Sequence, residues 1–419
     1  MYTLLKPCRS LSFVLAGVFM LAAGCGEQNN DGFFQPSKAL TGVDVLQSDS
    51  SGGFALAYRA RGFEFPQDHL AHPDFKHEWW YFNGNLTTTD GIKLGYQLTL
   101  FRIGLKADEN IVKTIDSVTG TTDQSAKNAS RWRTNNIYMG HLALTDISNQ
   151  RFYDYEKFSR NALGLAGSEL VKTALKTQDA KEATAIKIWL EDWQIASQGE
   201  STFPLNIKAQ KGDIAINLSL NPVKPVVYNG YEGLSQKGRK QGNASYYYSI
   251  TRLESKGVVT IKNQTFDVSG NSWLDREWST SVLEKDQAGW DWFSIQLNDG
   301  RDLMFYKIRR KDNTMDHYSS GTLVYRSGTY KILNAEDVLL EETEYWQSPH
   351  SGVRYPSRWK ISIPKERLEI HITPYMADQE NNLTVRYWEG AVKATGVQQT
   401  DTGDLKVSGD GYVELTGYQ

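Results

Sequence analysis

Short runs of alternating apolar and polar residues, separated by clusters of Asn, Asp, Gly and Ser, fill the chain from about residue 58 onward. A period of two marks half-buried β-strands rather than helices. The stretch Gly270–Arg310 shows the pattern most clearly and holds four of the chain's twelve tryptophans. If Trp273–Trp278 is a strand, Trp273, Asp275 and Glu277 share one face, and Leu274, Arg276 and Trp278 share the other. One face then mixes an aromatic with two carboxylates. Asp299-Gly300, between the apolar runs Phe293–Leu297 and Leu303–Tyr306, predicts a hairpin, because the turn that follows strand twist needs positive φ angles that Asp and Gly tolerate.

His77–Arg102 repeats the design. Trp79-Trp80-Tyr81-Phe82 answers Trp290-Asp291-Trp292-Phe293, and Asp90-Gly91 answers Asp299-Gly300. A second echo sets Trp193-Gln194-Ile195 against Trp359-Lys360-Ile361. Two echoes in the same order predict a duplicated, mainly β architecture. Asn221-Pro222-Val223-Lys224-Pro225 reads as a linker, since closely spaced prolines do not suit a central strand. The predicted domains are therefore 54–225 and 226–419. Tyr58–Pro66 is expected to open the first as an edge strand, with further strands at Ile137–Leu144, Ala185–Ile195, Val353–Pro364 and Leu368–Pro374. Arg160–Ala180, rich in Ala, Leu and Lys, reads as a short helix or an insertion.

The N-terminus changes the picture of where the chain acts. Lys6 and Arg9 precede the apolar run Leu11–Ala23, which ends in Ala22-Ala23-Gly24-Cys25. This resembles a bacterial lipoprotein signal, in which residues 1–24 are removed and Cys25 is acylated. Residues 25–53, polar and glycine-rich, then form a flexible tether. Gly26 after the cysteine points to the outer membrane, with the protein facing the periplasm. The chain has two cysteines, Cys8 and Cys25, so the processed domains would carry no thiol, disulfide or Cys-based metal site. A formal net charge of −3 with no basic runs excludes nucleic acid as a partner.

Candidate chemistry is narrow. The glycine-rich stretch Tyr228–Gly242 has neither Walker nor dinucleotide spacing, and no cofactor signature appears elsewhere. No Gly-x-Ser-x-Gly elbow is present. His69, His72, His77 and Glu78 crowd together, but Tyr81 stands where His-Glu-x-x-His needs its second histidine, and no metal is assigned. Asp275 and Glu277 are the candidate catalytic acids, with a structural salt-bridge set to Arg276 or another arginine, or ligand binding alone, as the alternatives. A glycosidase-type carboxylate pair has weaker support, for the two lie on adjacent same-face positions of one strand, ~7 Å apart. Candidate ligand-lining residues are Trp79, Tyr81, Trp273, Trp290 and Trp292, with Tyr246 and Tyr248, which share a face of Ala244–Ile250.

The segments Glu78–Tyr81 (EWWY), Trp273–Ser279 (WLDREWS), Gly289–Phe293 (GWDWF), Tyr387–Gly390 (YWEG) and Gly411–Tyr418 (GYVELTGY) resemble the AttH family, also described as predicted secreted hydrolases. That family is related to carotenoid 1,2-hydratase. The resemblance implies two lipocalin-like antiparallel β-barrels in tandem. In the hydratases an acid protonates a terminal double bond of an isoprenoid and water quenches the cation; by position Asp275 falls on that acid. Where the hydratases carry an upstream His-x-Trp, this chain has Tyr246-x-Tyr248. The implied function is a membrane-anchored protein that binds an apolar isoprenoid or lipid, as an accessory to an ABC-type export system. The alternatives are a hydratase with Asp275 as general acid, and an envelope structural lipoprotein without a ligand.

Overall fold

The computed structural model describes residues 40–41, 51–107, 134–171, 184–280 and 283–419. The expected signal peptide and the lipid attachment at Cys25 lie outside these residues, as does most of the expected tether. Among the described residues there is no α-helix, and the chain builds two antiparallel sheets. The first runs, in spatial order, Arg151–Arg160, Asn136–Asp146, Lys93–Gly104, His77–Thr88, Gln264–Ser279, Ala244–Ile261, Ile214–Pro222, Leu205–Lys211, Trp193–Ser197, Ile186–Leu190 and Ala166–Leu170. The second runs Tyr330–Asn334, Ser320–Val324, Asp302–Arg310, Gln287–Leu297, Gly403–Leu415, Val385–Thr400, Leu368–Pro374, Arg354–Ile363 and Leu339–Gln347.

Each sheet curls over its own core. In the first, Trp80, Leu100 and Leu142 pack with Ile188, Trp193 and Ile207 from strands far along the sheet, which rolls it into a nearly closed lipocalin-like barrel. In the second, Phe293, Leu323, Trp359, Ile370 and Trp388 fill a half-barrel. The outer strands alternate buried and exposed positions, as in Ile214–Pro222. The middle strands of both sheets are buried on both faces: His77–Thr88 and Asp302–Arg310 each bury nearly every residue. One face of these strands looks into its own barrel and the other meets the opposite sheet. Both aromatic hairpins form, with Gly91 at φ 89° and Gly300 at φ 90° in the turns.

Four expectations are corrected. The sheets divide the chain between Ser279 and Gln287, not at 225/226: Gln264–Ser279 pairs with His77–Thr88 along that strand's whole length, and Ala244–Ile261 pairs with Ile214–Pro222. Pro222 stays in the ladder opposite Leu253 because it closes its strand, and the loop after it carries Lys224, whose Nζ reaches Asp302 of the second sheet at 2.7 Å. Tyr58–Pro66 makes no ladder; it lays Phe63 and Phe65 on Tyr248 instead. Within the 25–53 tether, Leu40–Thr41 pairs in parallel with Val385 and Arg386, so that segment touches the fold. Of Arg160–Ala180, the part Ala166–Leu170 is a strand, and 172–183 lie outside the described residues.

Candidate functional site

In a pleated sheet, residues directly opposite on neighbouring strands share a face with Cβ atoms about 5 Å apart, so a row of such partners lines up across the sheet. The first sheet carries the row Ser249, Asp275, Tyr81, Thr99, His141, each the partner of the next. The second carries Glu389, Glu414, Trp292, Tyr306. The rows face each other across the seam. Tyr81 Oη donates to Glu389 Oε1 at 2.5 Å, Trp292 Nε1 donates to Tyr247 Oη at 3.1 Å, and the Tyr81 and Trp292 rings meet edge to face at 5.2 Å. Between the rows lies a cavity of about 130 Å³.

Asp275 sits in the wall of this cavity and is 3% exposed. Its Oδ1 accepts from Ser249 Oγ at 2.5 Å and Trp273 Nε1 at 2.6 Å, and its Oδ2 accepts from Tyr247 Oη. Among the described residues no cation pairs with it. Burial raises its pKa to about 7, Glu277 adding to the rise while the three hydrogen bonds oppose it. The expected ion pair with Arg276 does not form, because that side chain points the other way. There Arg276 and Arg102 both bind Glu78, and Arg276 stacks 4.0 Å over the Trp80 ring. Against its burial, these two guanidinium groups hold Glu78 well below the usual carboxylate range.

Glu277 also lines the cavity but is differently held. It accepts from Ser245 Oγ and lies 3.5 Å from Lys237 Nζ. Lys237 is itself buried, 3.6 Å over the Tyr306 ring, and although burial opposes its charge, Glu277 and Tyr306 raise its pKa. Glu277 is thus the anchor of an ammonium group, and Asp275 the carboxyl without one.

Of the expected lining residues, Trp79, Tyr81, Trp290 and Trp292 reach the cavity. Trp273 stands behind it, holding Asp275. Tyr246 and Tyr248 turn away: they pack with Phe63 and Trp278, Tyr246 Oη donating to the Arg59 carbonyl and Tyr248 Oη paired with His69 Nδ1 at 2.6 Å. The residue between them, Tyr247, is the one that faces the site. Sequence reasoning also passed over Glu389, Glu414, His141 and Lys237. Glu389 and Glu414 had a readable signal, a carboxylate in the middle of an apolar strand, in Tyr387-Trp388-Glu389-Gly390 and Tyr412-Val413-Glu414-Leu415. His141 and Lys237 had none. Among the described residues, no group of three or more His, Cys, Asp or Glu is placed to hold a metal ion.

A family profile described as AttH-like matches residues 56–418. Among solved structures, a Nitrosomonas europaea protein assigned to AttH is 29% identical with a TM-score of 0.69, over 87% of this chain and 100% of that one. Kievitone hydratase from Nectria haematococca shares the fold with a TM-score of 0.57 at 13% identity, over 87% of this chain and 98% of that one. Comparison with curated proteins gives no match.

Proposed function

Because the chain belongs to the AttH-like family, we propose that it is a lipocalin-like hydro-lyase that adds water to a carbon–carbon double bond of an apolar, isoprenoid-type ligand, with Asp275 as the general acid. One observation carries this: a carboxyl buried in the wall of an aromatic cavity, free of any cation among the described residues and poised near pH 7. A general acid works best with a pKa close to the operating pH. In the reaction the Asp275 proton bonds to one alkene carbon, the π electrons leave a cation on the more substituted carbon, and water closes the C–O bond and releases a proton. The faces of Trp79, Tyr81, Trp290 and Trp292 supply cation–π attraction, up to about 2 kcal/mol each when desolvated. A cavity of about 130 Å³ is near the size that encloses one benzene ring, so it takes the reacting end of a chain and leaves the rest outside. That a hydratase occupies the same fold is in keeping with this reading.

The proposal includes the envelope setting: acylation at Cys25 holds the protein at the outer membrane, beside the bilayer in which such ligands dissolve. The second reading, a binding accessory to an ABC-type export system, is favoured by the three donors that already fill Asp275. Mass spectrometry separates the two. Full-length protein and Asp275→Asn are each incubated with a membrane-lipid extract, and the retained small molecules are compared. A compound that gains one water only with the wild type supports the hydro-lyase; a compound retained unchanged and equally by both makes this a binding protein.

A further inference from the structure

Glu389 and Glu414 are direct cross-strand partners, so their side chains leave the second sheet side by side into the same cavity as Asp275. Two carboxylates in that position repel, and the usual remedy is a cation. Among the described residues none is there: neither glutamate makes an ion pair. What surrounds them is a set of neutral donors and further acids. Tyr81 reaches Glu389 from the first sheet, Tyr387 from its own strand, and Trp290 donates to Glu414 Oε1 at 3.0 Å. Asp275 and Glu277 face Glu414 from Gln264–Ser279, and Lys237 is engaged by Glu277. Such a pair has to hold a proton of its own. Glu389 Oε2, in a side chain 1% exposed, has no hydrogen-bond partner at all. Beyond Glu389 the contacts continue through Tyr387 to His141, whose Nδ1 lies 2.7 Å from Tyr387 Oη and whose Nε2 is again unpartnered. Glu389 lines the cavity, and its buried, unpartnered carboxyl oxygen leaves a hydrogen bond open to a polar guest.

We infer that Glu389 and Glu414 form a second proton-exchanging centre in this cavity, which binds the reacting water and takes its proton as Asp275 protonates the substrate. The inference rests on the hydro-lyase reading. The cycle starts with Asp275 protonated and one proton on the glutamate pair. The Asp275 proton goes to the alkene carbon, a water O–H breaks as the C–O bond forms, and the freed proton joins the pair. The pair then carries two protons and Asp275 none; transfer of one proton back through cavity water restores the start. The sum is alkene plus water giving alcohol. Burial and Glu414 hold Glu389 well above the usual carboxylate range, and burial raises Glu414 to about 7, which suits a neutral Glu389 donating to the water and an ionised Glu414 accepting from it.

The test uses full-length protein with squalene as probe in ¹⁸O-labelled water, and infrared titration of the buried carboxyl band in the same samples without probe. Wild type, Asp275→Asn, Glu389→Gln, Glu414→Gln and Glu414→Asp are compared, with near-ultraviolet circular dichroism to certify folding. The expected result is a loss of about 10²-fold or more in labelled alcohol for Glu389→Gln and Glu414→Gln, partial rescue by Glu414→Asp, and loss of the acid limb of the pH–rate profile in Glu414→Gln. The part of the carboxyl band that persists in Asp275→Asn should be missing from the two glutamine variants, which keep the Asp275 part. Folded glutamine variants that keep the wild-type rate and pH profile would overturn this inference and leave the hydro-lyase reading intact. A wild type that transfers no label to squalene counts instead against hydration of this probe, and takes the water-binding role with it.

Discussion

Asp275 and Arg276 adjoin in sequence and serve opposite ends, because one step along a strand reverses the face. Arg276 is fully buried among Glu78, the Leu70 carbonyl and the Trp80 ring. Arg276→Met would leave Glu78 in the barrel with one cation fewer, and a loss of about 3–5 kcal/mol is expected from urea unfolding. Asp275 has the reverse effect on stability. Its folded pKa, about 7, lies above the usual aspartate value of 3.8, so its contribution to stability is full below pH 4 and is lost as pH rises toward 7. Buried, neutral His69, His77 and His141, each lowered to about 3 chiefly by burial, run the other way, with a contribution present above pH 6.5 and lost toward pH 3. Asp275→Asn removes only the descending part. Relative to wild type, the variant should therefore gain about 2–3 kcal/mol more stability at pH 8 than at pH 5 in paired denaturant titrations. On the hydro-lyase reading, water addition should fall in wild type as pH rises past about 7, where the acid loses its proton. Asp275 was legible in the sequence because a carboxylate that shares a strand face with Trp273 is a local anomaly. Its freedom from Arg276 follows from the period of two, and its pKa does not, since that depends on burial by the second sheet.

At the level of strands, the hairpin turns at Asp90-Gly91 and Asp299-Gly300 could be read directly, as local chemistry sets them. The echo between hairpins also maps onto the sheets: Tyr81 pairs with Asp275 as Trp292 pairs with Glu414, so each aromatic hairpin lies beside a strand that presents a carboxyl. The echo of Trp193 with Trp359 does not map this way. Trp193 lies three strands from Ala244–Ile261, and Trp359 two strands from Val385–Thr400. Tyr246-Tyr247-Tyr248 shows where pattern alone stops: three like residues carry no polarity difference, so the face toward the cavity is fixed by pairing with Gln264–Ser279. Close approach of the sheets has its own signature at Gly95. A Cβ there would lie 2.6 Å from Ala391 Cβ and 2.7 Å from Tyr412 Oη of the second sheet. Gly95→Ala is expected to cost about 1–3 kcal/mol and to lower activity without touching any acid, read from the urea midpoint beside the labelled-water assay.

On the scale of the whole molecule, the site belongs to neither barrel. Asp275 comes from one sheet and Glu389, Glu414 and Trp292 from the other, and cross-sheet bonds such as Thr145 Oγ1 to Gln379 Oε1 at 2.7 Å tie them together. This is why the cavity could not be placed from either repeat alone: sequence periodicity reports which residues are buried and not which sheet buries them. A fragment ending at residue 280 keeps the first sheet but uncovers Tyr81, His141 and their neighbours. It should bind an apolar fluorescent dye strongly and aggregate, where the full chain does neither; a monomeric fragment without dye binding would show the first barrel to be self-sufficient.

Gly403–Leu415 comes last among the strands in chain order yet lies between Gln287–Leu297 and Val385–Thr400. Until it has been synthesised those two strands have open ladders on their facing edges, and the second sheet exists as two unjoined pieces. A ribosome-bound or incomplete chain therefore offers proteases an unfolded half. Glu414 arrives on that strand, so the cavity closes only in molecules whose translation has run past it.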